Sequence, residues 1–294
     1  MRLIVPFAAG GSTDTFARVM ATDLTARLGQ QVLVENRPGA GGNIAGEYVA
    51  RVEPDGHTLL VAGQAILSIN QALYKTLSYD PVGGFSYVGM LGGSANVLTV
   101  NPKALPVTNV AELVALARSK PGSINYGSNG IGSLVHLMTE VMMAKAGIKM
   151  VHVPYRGAAP LMTDLLAGQV GLCFTATSTA LPYEQSGALK AIAVSTPQRS
   201  KDFPDVPTLT ESGFPEIHSP TWFAIMAPAR TPAAVLARLR QEVGAISASA
   251  EYGALLDKQA SEPMTTSVSD ADNFFASERQ LWSQAVKAAG ATID

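Results

Sequence analysis

Four short stretches combine small residues with uncharged polar ones in a pattern that could hold an anion without transforming it. They are residues 8–13 (Ala-Ala-Gly-Gly-Ser-Thr), 63–68 (Gly-Gln-Ala-Ile-Leu-Ser), 128–133 (Ser-Asn-Gly-Ile-Gly-Ser) and 175–179 (Thr-Ala-Thr-Ser-Thr). Together they offer hydroxyls, the side-chain amides of Gln64 and Asn129, and backbone N–H groups, and they contain no Asp, Glu, His, Lys or Arg. N–H groups at a helix start bind small anions with the help of the helix dipole. Hydroxyls and amides add neutral hydrogen bonds. The titratable groups that acid–base chemistry needs are missing from these stretches, so binding fits them better than catalysis. Each stretch alone is also consistent with a tight turn that binds nothing.

Other chemistries find less support. Gly39-Ala-Gly41-Gly42-Asn-Ile44 has Ile where the dinucleotide motif needs its third glycine, and no GxxxxGK[ST] phosphate loop occurs. His136 and Glu140 stand one helical turn apart, a spacing that could share a metal. There is no HExxH and no evident third ligand, which favours a packing pair. No GxSxG elbow is present. The lone Cys173 lies in the apolar run Val170-Gly-Leu-Cys-Phe174, reads as a small buried hydrophobe and forms no internal disulfide. Neither metal nor organic cofactor is expected.

The elements that must carry these stretches follow from periodicity. Arg2 to Phe7 reads as a buried strand, and a helix from Ser12–Asp14 to Leu28 places Phe16, Val19, Met20, Leu24 and Leu28 on one face. Strands at Gln31–Glu35 and Thr58–Ala62 flank a helix at Asn43–Arg51. Strand, helix, strand, helix, strand at this spacing predicts a parallel sheet whose ligands lie at the strand carboxyl ends. After strands at Tyr87–Gly92 and Asn96–Val100, a second cycle of strands and helices runs from Val110 to Val194. Gly63-Gln-Ala65 and Thr175–Thr179 read as loops. A strand at Trp222–Met226 and helices at Pro232–Ala248, Tyr252–Gln259 and Asp270–Ala289 close the chain. We expect two α/β lobes, 1–100 plus 221–294 and 101–220, with a hinge crossed twice, as in proteins whose lobes close over a ligand.

Composition agrees with a globular chain. Its 294 residues are enough for one large domain or two ordinary ones. A net charge of −2 and a pI near 6.1 argue against nucleic acid as a partner. No apolar run approaches the ~20 residues of a membrane span.

The order of several motifs resembles the Bug family of extracytoplasmic solute receptors, which serve tripartite tricarboxylate transporters. The likeness is carried by Arg2-Leu-Ile-Val-Pro-Phe7, Gly10-Gly-Ser-Thr-Asp14, Val34-Glu-Asn-Arg-Pro-Gly-Ala-Gly-Gly-Asn43, Tyr79-Asp-Pro81, Asn125-Tyr-Gly127, His152-Val-Pro-Tyr155, Gly168-Gln-Val170 and Asp205-Val-Pro-Thr208. It implies a two-lobed periplasmic-binding-protein-like (Venus flytrap) α/β fold that captures a small organic carboxylate between helix N-termini and delivers it to membrane transporter subunits. It also implies a monomer in the periplasm. Phe7, Ala9, Ser12 and Thr13 would line lobe one with Gln64 and Ala65. Ser128, Gly132 and Ser133 would supply the lobe-two helix end, and the His152–Gly157 stretch, with Arg156, would border the ligand. Many relatives carry Asp where this chain has Thr175, which points to a different distal group on the ligand. Met1 stands where mature relatives begin their first strand, so we read it as replacing a removed signal peptide. The same frame could serve a ligand sensor, or an enzyme built on a cleft Ser or Thr.

Overall fold

The computed structural model describes the chain apart from Ala8, Gly11, Arg156, Glu216, residues 218–220, Gln259, Ala260, Thr265, Ala291 and Asp294; of Ser12, Glu262, Ala288 and Ala289 it describes the backbone only. In chain order the first elements are β1 (Arg2–Val5), α1 (Ser12–Leu28), β2 (Leu33–Asn36), α2 (Asn43–Arg51), β3 (Thr58–Gly63), a π-helical turn at Ala65–Ile69, α3 (Asn70–Leu73) and β4 (Phe85–Ser94). Then come β5 (Asn96–Val100), α4 (Val110–Ser119), β6 (Asn125–Ser128), α5 (Leu134–Ala146), β7 (Val151–Pro154), α6 (Ala158–Ala167), β8 (Leu172–Ala176), α7 (Thr177–Gln185) and β9 (Lys190–Val194). The chain ends with β10 (Thr221–Pro228), α8 (Ala233–Ser247), α9 (Ala250–Lys258), β11 (Ser261–Glu262) and α10 (Val268–Ala289).

Two compact units result. The first comprises Met1–Gly93, Trp222–Ser283 and Thr292–Asp294, and the second Ser94–Thr221 and Gln284–Ala291. Its strand pairing places β5 in the second unit, because β5 pairs with β8 and β9. The end of α10, with Ala285 and Val286, also belongs to the second unit.

In the first unit the sheet order is β11-β4-β10-β3-β1-β2. β1 runs parallel to β2 and β3, as the alternation of strand and helix requires. β10 breaks the parallel pattern by lying antiparallel to β3; it enters from the second unit, so no crossover helix dictates its direction. Side-chain alternation splits the core into two layers. Leu3, Val5, Leu59, Val61, Phe223 and Ile225 pack with Phe16, Met20 and Leu24 of α1 and Leu239 and Val243 of α8. Ile4, Leu60, Ala62, Trp222, Ala224 and Met226 pack on the other face with α2 and Phe275 of α10. Trp222 and Trp282 both aim their indole N–H groups at Glu278 Oε2, at 2.7 and 3.1 Å.

The second unit has the order β7-β6-β8-β5-β9. β6 is parallel to β7 and β8, whereas β5 is antiparallel to β8 and β9. The helices begin and end by local chemistry. Asn109 caps α4 by accepting the Glu112 N–H, while the Glu112 carboxylate accepts the Thr108 N–H, a reciprocal arrangement that satisfies free helix-end donors. α5 stops at Gly147 in the left-handed region. Cys173 is fully buried among Leu161, Leu165, Val170 and Leu189, and burial pushes its thiol up to about 12.

Two expected loops are regular structure. Gly63 ends β3, and Ala65 to Ile69 form a π-helical turn that the apolar Ile66, Leu67 and Ile69 bury. Thr175 and Ala176 are the last residues of β8, and Thr177 begins α7. In both places tertiary burial favours regular hydrogen bonding over the loop that composition suggested.

Candidate functional site

Each unit presents one of the uncharged stretches at the N-terminus of a helix. In the first unit the chain leaves β1 through Pro6 and Phe7 and enters α1 at Ser12. A buried carboxylate organises this turn. Asp14 Oδ2 accepts the Gly10 N–H at 3.0 Å and Arg18 Nε at 2.8 Å; Oδ1 accepts Arg18 Nη2 at 3.0 Å and Asn36 Nδ2 at 2.9 Å. Asn36 Nδ2 also donates to the Phe7 carbonyl at 3.0 Å. The Arg18 guanidinium and the Gly10 and Asn36 donors hold the Asp14 carboxyl down at about 2, against the opposing effect of burial. Its charge is thereby committed to the frame, and the helix N-terminus keeps its positive field.

The Phe7 ring is 41% exposed and meets Phe223 edge-on, with centroids 6.2 Å apart. Ala9 is exposed, Thr13 is buried in the first turn of α1, and Ala65 is half-buried. Gln64 is buried, and its Oε1 accepts the Trp222 N–H at 3.1 Å, tying the π-helical turn to β10.

In the second unit the chain leaves β6 at Ser128, passes Gly130 and Gly132, and enters α5. Both glycines have positive φ, +135° and +75°, conformations that side chains resist. Ser133 caps α5, its Oγ accepting the His136 N–H at 3.4 Å. Its own N–H goes to the Gly130 carbonyl at 3.2 Å. The N–H groups of Leu134 and Val135, in the first turn, have no acceptor within the helix.

Behind this loop lies a polar cluster. His152 stacks on Tyr126 and on His136, with centroids 4.9 and 4.0 Å apart. Tyr126 donates to Glu140 Oε1 in a short hydrogen bond, and His136 Nε2 lies 3.6 Å from the same oxygen. Gly132 N–H donates to His136 Nδ1 at 3.2 Å, so that nitrogen carries no proton and Nε2 faces Glu140 with one. Ser128 Oγ contacts His152 Nε2 at 2.7 Å, the Gly130 carbonyl at 3.0 Å and the Gly130 N–H at 3.2 Å. All three contacts are satisfied when the hydroxyl donates to the carbonyl and His152 donates from Nε2. Burial, and His136 beside it, push His152 down to about 4, so its ring is neutral at pH 7. Burial raises the Glu140 carboxyl, but the His136 and Tyr126 partners outweigh it and hold the group below its ordinary value.

The Ser128–His152 distance is that of a nucleophile and its base. Ser128 is nevertheless fully buried and its proton is directed to a carbonyl, so the contact fixes the loop instead of activating a hydroxyl. Among the described residues no three His, Cys, Asp or Glu side chains gather as a metal site. His136 and Glu140 lie against one another across one turn of α5, with Nε2 3.6 Å from Oε1.

The structure thus presents Phe7, Ala9 and the α1 turn on one unit, and Ser133 and the α5 turn on the other, while Gly132 is buried with its N–H on His136. It sets Gln64 and Ser128 behind the presented surfaces as framework. Thr175 is buried in β8 opposite Val97. The Ser12 side chain and Arg156 lie outside the described residues. The sequence places His136 only in a pair with Glu140 and His152 only in a stretch bordering the ligand, and does not bring the two together. The Asp14–Arg18 pair carries a legible signal, opposite charges one helical turn apart. The histidine pair carries none, since it forms only when β6 and β7 align Tyr126 with His152 and α5 covers them.

Among the described residues no helix is long and apolar enough to cross a membrane. The sequence pattern of the family described as tripartite tricarboxylate transporter family receptor matches residues 16–291. Protein BugT of Bordetella pertussis is 35% identical over 294 residues, spanning 100% of this chain and 90% of that protein. A solved R. palustris protein with adipate superposes with a TM-score of 0.88 at 35% identity, covering 100% of this chain and 98% of that one. MatC from Rhodopseudomonas palustris with bound malate gives 0.84 at 28% identity, over 97% and 98%.

Proposed function

We propose that this chain, which belongs to the tripartite tricarboxylate transporter receptor family, captures a small organic carboxylate in the periplasm and hands it to a membrane transporter. Receptors of this family are extracytoplasmic solute-binding proteins, and two of the structural relatives carry adipate and malate. The observation that carries the reading is the pairing of uncharged, helix-starting stretches with neighbouring carboxylates that are already engaged. Asp14 is ion-paired with Arg18, and Glu140 accepts the Tyr126 hydroxyl behind the loop. What the two helix starts offer is N–H groups and helix dipoles, with the Ser133 hydroxyl on the second, a donor set that holds a carboxylate.

On this reading Phe7, Ala9, Ser12 and Thr13 with Ala65 receive one part of the ligand, and Ser133 with the Leu134 and Val135 N–H groups receives a carboxylate, with Gly132 shaping the turn before them. Thr175 faces the distal end, and Gln64 and Ser128 shape the surfaces from behind. The protein acts as a monomer and changes no bond in its ligand. Calorimetry of the ligand-free protein against adipate, malate, citrate and an aromatic acid tests the reading. We expect one-to-one binding of at least one acid, recovered unchanged. Absence of binding to all of them, or turnover of any, would overturn it.

A further inference from the structure

We propose that His136 and His152 are positioning residues for ligand binding: they clamp the 128–133 loop from behind and so set where the α5 N-terminus presents its donors. This rests on the reading of that loop as ligand-binding. The geometry assigns each ring a distinct handle. His136 Nδ1 takes the Gly132 N–H at 3.2 Å, while the backbone N–H of the same residue reaches Ser133 Oγ at 3.4 Å. His152 Nε2 holds Ser128 Oγ at 2.7 Å, and that oxygen holds both polar groups of Gly130. The stack of the two rings joins the handles, so the loop is gripped at Ser128, Gly130, Gly132 and Ser133 by one unit.

The grip has a chemical consequence. Gly132 N–H and the Ser128 hydroxyl are consumed by it, and the presented donors narrow to the Leu134 and Val135 N–H groups and the Ser133 hydroxyl proton. The titratable groups facing the pair are Tyr126 from β6 and Glu140 from α5, the latter on the Nε2 side of His136.

Two substitutions separate the handles from general packing. Asparagine places an acceptor where Nδ1 stands, and glutamine places an N–H donor where Nε2 stands. His136→Asn and His152→Gln should keep affinity for whichever of adipate and malate the wild type binds within about threefold, whereas His136→Leu and His152→Leu weaken it about tenfold, the worth of one lost hydrogen bond. Without any ligand, the Gly132 amide should exchange slowly with solvent in the wild type and in His136→Asn, and faster in His136→Leu. Leucine variants that bind like the wild type, or a Gly132 amide that exchanges as slowly in His136→Leu, would overturn the proposal. Should a leucine variant fail to fold, the asparagine and glutamine variants and the wild-type amide exchange decide. If the wild type binds neither acid, the functional reading fails, and the ligand-free amide measurement still decides whether the histidines hold the loop.

Discussion

Arg18 grips Asp14 with two nitrogens, Nε to Oδ2 at 2.8 Å and Nη2 to Oδ1 at 3.0 Å, one turn apart on α1. The pair removes a negative charge from the helix end that we assign to the ligand. Arg18→Ala leaves Asp14 uncompensated, and we expect carboxylate affinity to fall about tenfold at low ionic strength. The loss should shrink at 1 M salt. Calorimetry at two salt concentrations measures both.

The same carboxylate predicts an acid limb of stability. Its native value is held at about 2, below the 3.8 of the free group. A depressed carboxylate stabilises the fold above the unfolded value and loses that contribution as pH falls through the native one. Urea midpoints should therefore drop between pH 4 and pH 2 more steeply in the wild type than in Asp14→Asn.

Ser133 offers a substitution that separates folding from binding. Aspartate is as good a helix cap as serine, so Ser133→Asp should leave the melting temperature within a few degrees. A negative charge beside a bound carboxylate should abolish binding. Unchanged affinity would remove Ser133 from the ligand's surroundings.

Glu278 anchors α10 by accepting both indole N–H groups of the buried Trp222 and Trp282. Glu278→Ala strands two buried donors, and we expect a loss of about 3 kcal/mol in urea unfolding. Glu278→Gln keeps an acceptor oxygen and should cost less.

Cys173 provides a probe of global opening. Burial and a thiol raised to about 12 leave no thiolate to react at pH 8. A thiol reagent should modify the native protein only at its unfolding rate, and stoichiometrically in denaturant.

Much of this architecture is legible in the sequence because periodicity reports burial. Helix α2 lies at Asn43–Arg51, as expected, and strands and helices alternate from Val110 to Val194. The uncharged stretches of 8–13 and 128–133 do stand at helix starts, because strand end, small residues and helix follow one another in the chain. Other features depend on partners distant in sequence. The π-helical turn after Gly63 is stabilised by Gln64 reaching Trp222, a contact that no local pattern encodes. The direction of β10 and the stack of His136 on His152 arise the same way. The roles of Ser128 and Gln64 shift for this reason: both are polar residues in polar stretches, yet their hydrogen bonds point inward.

The place of β10 between β4 and β3 also governs the order in which the protein can be built. Residues 94–221 separate that strand from the rest of its sheet. Until Thr221–Pro228 has emerged from the ribosome, β4 on one side and β3-β1-β2 on the other have no strand to join them. The second unit is nearly continuous and its contacts close early, whereas the first must wait for the last third of the chain, a slow, long-range step. A nascent chain therefore carries an unfinished first sheet, with the edges of β3 and β4 unjoined, until β10 is made.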